Sequence, residues 1–222
     1  MRRTKLETGP VDPTVAESAT VLFYVHDPMC SWCWAYRPVL LKLRENLPAE
    51  VRWQNVLGGL APDSDQPMPE STRQMVQAHW RQIQTSVGTE FNFDFWTSCQ
   101  PRRDTYKACR AVIAASMQAA EEEMIEAIQK AYYLRAMNPS EPATLAGLAG
   151  ELGLDRSAFE RDLGSDATGL ELQRQLALRR KIGVRSFPSL VLRHQGAITA
   201  IGHDYHDYRP SLAEITGCLN RG

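Results

Sequence analysis

The sequence predicts an α/β fold that is interrupted by an inserted subdomain of helices. Three observations lead to this prediction: a strand–helix–strand pattern follows the polar N-terminus, helical periodicity dominates the middle of the chain, and a strand–turn–strand–helix pattern ends it. We assign 20–63 and 166–222 to the α/β domain and 64–165 to the inserted helical subdomain. Residues 1–19 are polar and are expected to form a flexible N-terminal arm.

The first unit begins with a run of β-forming residues that predicts a buried strand over 20–26. Apolar residues at helical spacing predict a helix over 32–47, with a kink at Pro38 and an end at Pro48. Alternating residues over 51–57 predict a second strand. A crossover of this kind implies that the two strands are parallel.

The middle and the end of the chain differ in periodicity. Helices are predicted near 75–87, 104–117, 121–137, 144–152, 156–163 and 170–178. The end is predicted to contain a hairpin, with strands over 189–193 and 197–201 joined by a Gln195-Gly196 turn, and a last helix over 209–219.

Two cysteines lie where the first predicted strand passes into the first helix. The first turn of a helix has backbone N–H groups without intrahelical partners, and the helix dipole adds about 0.3–1 kcal/mol in favour of an anion. Both effects favour the thiolate of Cys30. Cys33 follows one turn later on the same face and can bridge to Cys30. Because the intervening Ser31-Trp32 brings no positive charge and Asp27 opposes the thiolate, we expect moderate activation.

Composition excludes several classes of partner. A net charge of −1 gives no indication of nucleic acid or an anionic membrane as a partner. Apolar runs are shorter than the ~20 residues that span a bilayer. The first 20 residues lack the apolar core of a secretory signal, and the five cysteines are an odd number. We therefore expect a cytoplasmic protein with a reactive cysteine pair and no structural disulfides.

A second landmark is the proline that precedes the third predicted strand, in Phe187-Pro188. A strand, C-x-x-C at a helix start, a later proline and then x-Pro before a hairpin and final helix together resemble the thioredoxin superfamily. The helical insertion resembles its DsbA-type branch. The stretches 27–34 (DPMCSWCW) and 108–115 (ACRAVIAA) are similar to the FrnE-like group of predicted protein-disulfide isomerases.

The resemblance implies a thioredoxin fold and a thiol-disulfide oxidoreductase or isomerase that acts on protein or peptide disulfides. It implies that Cys30 is the exposed attacking thiol and Cys33 the buried resolving thiol. It also implies that Pro188 is cis and that the backbone of Ser186 and Phe187 pairs with substrate. It implies no cofactor beyond the dithiol, with glutathione as a candidate redox partner. In a reducing cytoplasm, reduction or isomerisation is favoured over net oxidation.

The sequence departs from the family pattern in two places. Tyr24 stands where relatives often have a buried acid that assists proton transfer from the second cysteine. The dipeptide Ser31-Trp32 lacks the histidine of strongly oxidising relatives. His26 and Asp27 are candidate modulators of Cys30.

The remaining cysteines and acidic residues raise the questions of a metal site, a second redox pair and a charged helix N-terminus. A zinc site would need a second cysteine or histidine pair at matching spacing, so we predict no metal. The sequence leaves open whether Cys99 and Cys109 form a second redox pair. The run 121–123 (EEE) is expected to be a solvated helix N-terminus.

Two other functions remain as alternatives. One is a glutathione-dependent transferase or isomerase of the kappa or hydroxychromene-carboxylate type, although that branch typically has serine at the position of Cys30. The other is a non-redox peptide-binding module, for which the change Cys30→Ser would leave activity intact.

Overall fold

The computed structural model describes residues 19–221, so the predicted arm lies outside the described residues except for Ala19. Four strands are formed within this range: β1 (Val21–His26), β2 (Arg52–Leu57), β3 (Ser189–His194) and β4 (Ala197–Ile201). The helices of the same range are α1 (Ser31–Glu45), α2 (Glu70–Val87), α3 (Phe95–Ser98), α4 (Tyr106–Ser116), α5 (Glu121–Tyr133), α6 (Pro142–Glu151), α7 (Arg156–Leu163), α8 (Asp166–Lys181) and α9 (Arg209–Leu219).

The sheet has the strand order β2-β1-β3-β4. Strands β1 and β2 are parallel, as expected for a crossover through α1, whereas β3 is antiparallel to both β1 and β4. Every residue of β1 is buried, because this strand is central and covered on both faces. Its C-terminal end lies between the end of β2 and the start of β3, since His26 pairs with Leu57 and Val25 with Ser189. The sheet therefore brings the cysteine motif next to the loop that contains Pro188.

The inserted helices share a hydrophobic core with the α/β domain. Trp80 of α2 is fully buried and lies within 5.0–6.0 Å, between ring centroids, of aromatic rings that surround it: Phe91, Phe93, Phe95, Trp96, Tyr132 and Tyr133. Met29, Ala35 and Leu57, from the two sides of the cysteine motif, belong to this same core. The motif thus lies at the junction of the two parts of the chain.

Some predicted boundaries were wrong for local reasons. The helix predicted to reach residue 137 ends at Tyr133, and the chain then turns through Ala136, whose φ is 50°. The helix predicted to contain 170–178 is confirmed and begins at Asp166, where the hydroxyl of Ser165 caps it by accepting from the N–H of Thr168 at 3.2 Å.

Candidate active site

The two cysteines differ in how far they are buried. Cys30 is the N-cap residue of α1, with an extended backbone (φ −86°, ψ 118°), and 7% of its surface is exposed, whereas Cys33 in the first turn is 0% exposed. Both are free, buried thiols, so Cys30 is less exposed than the resemblance implies. Cys30 lies at the N-terminus of α1, where the helix dipole favours an anion, but its side chain makes no capping hydrogen bond to the N–H groups of the first turn.

The loop before β3 contacts the first of these thiols. The peptide bond between Phe187 and Pro188 is cis, and the thiol of Cys30 lies 3.7 Å from the carbonyl oxygen of Phe187, within hydrogen-bonding range for sulfur. The Phe187 ring packs directly on Gly58, where an added Cβ would come within 2.2 Å of the ring. The guanidinium of Arg179 fixes this contact from both sides: it lies over the ring and donates to the carbonyl oxygen of Gly58 at 2.7 Å.

A cavity of about 270 Å³ opens beside Cys30. Its wall is mostly apolar but includes three arginines, Arg102, Arg103 and Arg185, and we call it the basic cavity. Arg102 is paired with Glu141 at 2.9 Å. Within residues 19–221, Arg103 and Arg185 make no ion pair. Because their charges are uncompensated there, the cavity favours anionic groups.

Asp27 ties three parts of the molecule together at the cysteine motif. Its carboxylate is fully buried and accepts hydrogen bonds from the N–H of Met29 (2.8 Å), the N–H of Leu60 (2.6 Å) and the hydroxyl of Thr105 (2.7 Å). The thiol of Cys109 adds a fourth contact at 3.7 Å. Burial raises the pKa of Asp27, and these donors counteract the rise. Asp27 therefore fixes the cysteine loop to the segment after β2 and to the start of α4.

His26, the neighbouring residue, is buried without such partners. Its ring stacks on Tyr24 with 4.8 Å between centroids, and neither ring nitrogen has a hydrogen-bond partner among the described residues. Burial lowers the pKa of His26 from 6.5 to about 4. The ring is therefore neutral near pH 7 and supplies no positive charge to the cysteines.

A small polar cavity of about 10 Å³ lies on the far side of Cys33. Burial raises the pKa of the Cys33 thiol well above its ordinary value, and the Cys30 thiol adds to the rise. Most of the polar groups around this cavity come from β1, α1, β2 and α5: Tyr24, Arg37, Arg44, Asn55, Glu122 and Gln129. Cys33 is thus closed off from the basic cavity but borders a second, polar one.

The prediction that 121–123 is a solvated helix N-terminus was wrong for two of its three residues. Glu121 and Glu122 are partly buried, and only Glu123 is exposed. The side-chain amide of Asn55 donates to Glu122 at 2.7 Å and to Glu121 at 3.3 Å. Burial, followed by the neighbouring charge of Glu122, raises the pKa of Glu121 to about 7. Sequence reasoning missed this buried carboxylate pair, because its partner Asn55 lies on β2, 66 and 67 residues away.

The other cysteines and polar residues are not gathered into a second site. The thiol of Cys99 donates to the carbonyl oxygen of Ala136 at 3.1 Å, whereas Cys109 faces Asp27, and both are free. Residues 19–221 contain no cluster of histidine, cysteine or carboxylate side chains that could hold a metal ion. Trp32 borders the basic cavity and packs on Tyr205, with 5.1 Å between ring centroids.

A C-x-x-C helix start beside a cis-proline loop, on a central strand flanked by one parallel and one antiparallel neighbour, defines a thioredoxin-fold protein with a helical insertion. The sequence model of the DSBA-like thioredoxin domain matches residues 20–208, and the chain belongs to that family. The predicted fold and the DsbA-type branch are therefore confirmed, while the narrower FrnE-like likeness stays a prediction.

Solved structures with the same fold come from several bacteria. A protein from Nitrosomonas europaea that has been proposed as a protein disulfide isomerase is 27% identical, with a TM-score of 0.78, over 92% of this chain and 98% of that one. The cytosolic disulfide reductase DsbM from Pseudomonas aeruginosa is 23% identical, with a TM-score of 0.73, over 91% of this chain and 100% of that one. DsbM has also been solved with GSH, at a TM-score of 0.71 and 23% identity over 90% of this chain and 99% of that one.

Curated relatives have a similar level of sequence identity. The ClpXP adapter protein SpxH from Halalkalibacterium halodurans is 24% identical over 202 residues, which cover 86% of this chain. The match spans 66% of that protein's length, slightly less than two thirds. Among the described residues, no helix is both long and apolar enough to cross a membrane.

Proposed function

We propose that this protein is a thiol-disulfide oxidoreductase that reduces or isomerises disulfides in proteins or peptides. The observation that carries the proposal is the arrangement of the two thiols. Cys30 borders a cavity at a helix N-terminus beside the Phe187-Pro188 loop, and Cys33 is buried one turn behind it. This asymmetry suits the two steps of disulfide exchange. The thiol that borders the cavity attacks the substrate, and the buried thiol resolves the mixed disulfide.

In the proposed reaction, the Cys30 thiolate attacks one sulfur of the substrate disulfide. The substrate S–S bond breaks, one substrate thiolate leaves, and Cys30 is joined to the other sulfur in a mixed disulfide. The Cys33 thiolate then attacks the sulfur of Cys30, so that a Cys30–Cys33 disulfide forms and the second substrate thiolate leaves. The substrate gains two electrons and the cysteine pair loses two.

The loop before β3 is the proposed docking segment for the substrate backbone. Ser186 is exposed and Phe187 half-buried, and both border the basic cavity beside Cys30. An extended substrate chain can pair with exposed backbone groups of this kind, which would hold its disulfide over the attacking thiol.

We further propose that the protein works in the reducing direction in the cytoplasm, with glutathione as its redox partner. Two observations support a glutathione-sized, anionic partner: the 270 Å³ volume of the cavity and the uncompensated charges of Arg103 and Arg185. The structure of DsbM with GSH supports the same partner by analogy.

The decisive experiment compares insulin-disulfide reduction by wild type and the variant Cys30→Ser. Reoxidation of reduced ribonuclease is measured in parallel, to record the opposite direction. Cys218→Ser is the matched control, because Cys218 is a free, half-buried thiol on α9. We expect Cys30→Ser to remove both activities and Cys218→Ser to retain them. Full activity of Cys30→Ser would overturn the proposal and favour a non-redox binding module; the SpxH relative is named as an adapter protein.

The glutathione assignment has its own test. The double variant R103Q/R185Q is expected to raise the KM for glutathione disulfide by about tenfold, since each charge-assisted hydrogen bond contributes about 1.5–3 kcal/mol and is partly screened here. R156Q is the control, because Arg156 is exposed on α7 and paired only with Glu160 among the described residues. An unchanged KM would show that Arg103 and Arg185 do not bind glutathione. Transfer of glutathione to an electrophile would instead favour the transferase alternative.

A further inference from the structure

The second step of the proposed reaction requires Cys33 to lose a proton inside the protein. Its thiol is 0% exposed. The titratable and charged groups that face it are Cys30 on the same helix, Tyr24 and Asp27 from β1 and its end, Tyr133 from α5 and Tyr205 from the loop before α9. The carboxylate of Asp27 already accepts from two backbone N–H groups and the Thr105 hydroxyl and contacts the Cys109 thiol. Cys33 therefore needs another route to a proton acceptor.

Tyr24 and the small polar cavity provide the first part of such a route. Tyr24 and Cys33 both line the 10 Å³ cavity, and the Cys33 thiol is close enough to add to the rise that burial causes in the pKa of Tyr24. A cavity of this size is about the minimum that holds one water molecule, provided that polar partners are present. One is the side-chain oxygen of Gln129, which is buried and has no hydrogen-bond partner among residues 19–221.

Glu122 forms the outer end of the same cavity. Its carboxylate accepts from Asn55 at 2.7 Å and pairs with Arg44 at 2.5 Å. The Glu122 side chain is 26% exposed, so it can exchange protons with solvent. Arg37, which also lines the cavity, is paired with Glu126. The carboxylate at this end thus comes from the helical insertion, whereas the thiol belongs to the α/β domain.

We propose that the proton of Cys33 leaves through the Tyr24 hydroxyl and the polar cavity to the carboxylate of Glu122. This inference rests on the proposed function, because it concerns the resolving step. The S–H bond of Cys33 breaks and its electron pair stays on sulfur, which then displaces the substrate thiolate from Cys30. The proton passes to Tyr24 as the phenol passes its own proton onward, and Glu122 releases it to solvent. The carboxylate of Glu121 lies beside that of Glu122, since the side-chain amide of Asn55 donates to both.

The test follows the reaction of the protein with a chromogenic aromatic disulfide by stopped flow, which distinguishes the step of Cys30 from that of Cys33. The first equivalent of coloured thiolate reports attack by Cys30, and the second reports displacement by Cys33. In Y24F, E122Q and the double variant E121Q/E122Q, the second phase is expected to slow by about tenfold near pH 7, less than the loss of a base in direct contact. The first phase is expected to stay unchanged. In the double variant, the pH profile of the second phase should lose any dependence on Glu121, whose pKa burial raises to about 7.

One matched control distinguishes proton transfer from the loss of any carboxylate on this helix. E123Q removes the exposed carboxylate of the same helical turn and is expected to keep the wild-type second phase. A normal second phase in E121Q/E122Q, or equal slowing in E123Q and E122Q, would overturn the route but leave the proposed function standing. Absence of the first phase in wild type would overturn both.

Discussion

The two thiols of the motif are one helical turn apart but border cavities that differ in size and in lining residues. Cys30 borders a cavity of about 270 Å³ with three arginines in its wall. Cys33 borders a cavity of about 10 Å³ whose outer end holds a carboxylate. The first can admit a substrate and favours anions, whereas the second can admit little more than a water molecule and favours the passage of protons. The N-terminal end of α1 can thus serve both substrate attack and resolution, because Cys30 and Cys33 border different cavities.

The largest expected effect comes from removing the thiol on the closed side. In Cys33→Ser, Cys30 should still attack substrate, since its cavity and its contact with Phe187 do not involve Cys33. The mixed disulfide can then no longer be resolved, so steady-state insulin reduction should fall to the uncatalysed rate. Mass spectrometry should show one substrate chain bound per protein. If no adduct accumulates, Cys30 and Cys33 do not act as the attacking and the resolving thiol.

Asp27 lies between the two sides and should have the largest effect on stability. The change Asp27→Ala leaves the N–H groups of Met29 and Leu60 and the hydroxyl of Thr105 without their buried acceptor. We expect the free energy of unfolding to fall by about 4 kcal/mol. Urea denaturation measures it, and Thr105→Val, which removes one of these donors and the acceptor of the Ala61 N–H, should cost about 2 kcal/mol. Equal losses in the two variants would contradict the central role of Asp27.

Glu121 and His26 should give opposite pH dependences of stability. Glu121 binds its proton more tightly in the folded protein (pKa about 7 against 4.5), so its contribution to stability falls as pH rises from 4.5 to 7. His26 binds its proton less tightly (about 4 against 6.5), so its contribution falls as pH drops from 6.5 to 4. Each amounts to about 3 kcal/mol, and the two largely offset each other between pH 4.5 and 6.5.

The variant E121Q should therefore expose the contribution of His26. Its free energy of unfolding is expected to decline on acidification from pH 6.5 to pH 4.5 more steeply than that of wild type. Urea unfolding at a series of pH values measures both curves, and E123Q, which changes an exposed carboxylate, is the control. Parallel curves for wild type and E121Q would contradict the prediction.

The smallest effect is expected from His26→Phe. A phenyl ring keeps the stacking on Tyr24 and removes two buried nitrogens that have no partners among the described residues. At pH 7 we expect a change in the free energy of unfolding within about 1 kcal/mol, toward greater stability. The alkylation rate of Cys30 should stay unchanged, because the replaced ring is neutral. A slower rate would show that His26 does modulate Cys30.

Local patterns in the sequence were sufficient for the fold and for the two thiols. The run of β-formers before Cys30, the helical spacing after it and the proline before β3 are each contained in a short segment. The contacts of Asp27 could not be predicted in this way, because its donors Leu60 and Thr105 lie 33 and 78 residues away. The same applies to Glu122 and Asn55, which are 67 residues apart and meet only when the insertion packs on the sheet.

The core shared by the inserted helices and the α/β domain limits how the basic cavity can admit a bulky substrate. Met29, Ala35 and Leu57 are packed in one continuous apolar interior with Trp80, so a hinge-like swing of the insertion would expose them to water. Rigid-body opening is therefore energetically disfavoured. Adjustment of the side chains at the entrance, Trp32, Met75 and Arg185, is the less costly way to let a folded protein's disulfide reach the attacking sulfur. Extended or unfolded segments should be accepted more readily than disulfides held inside compact domains.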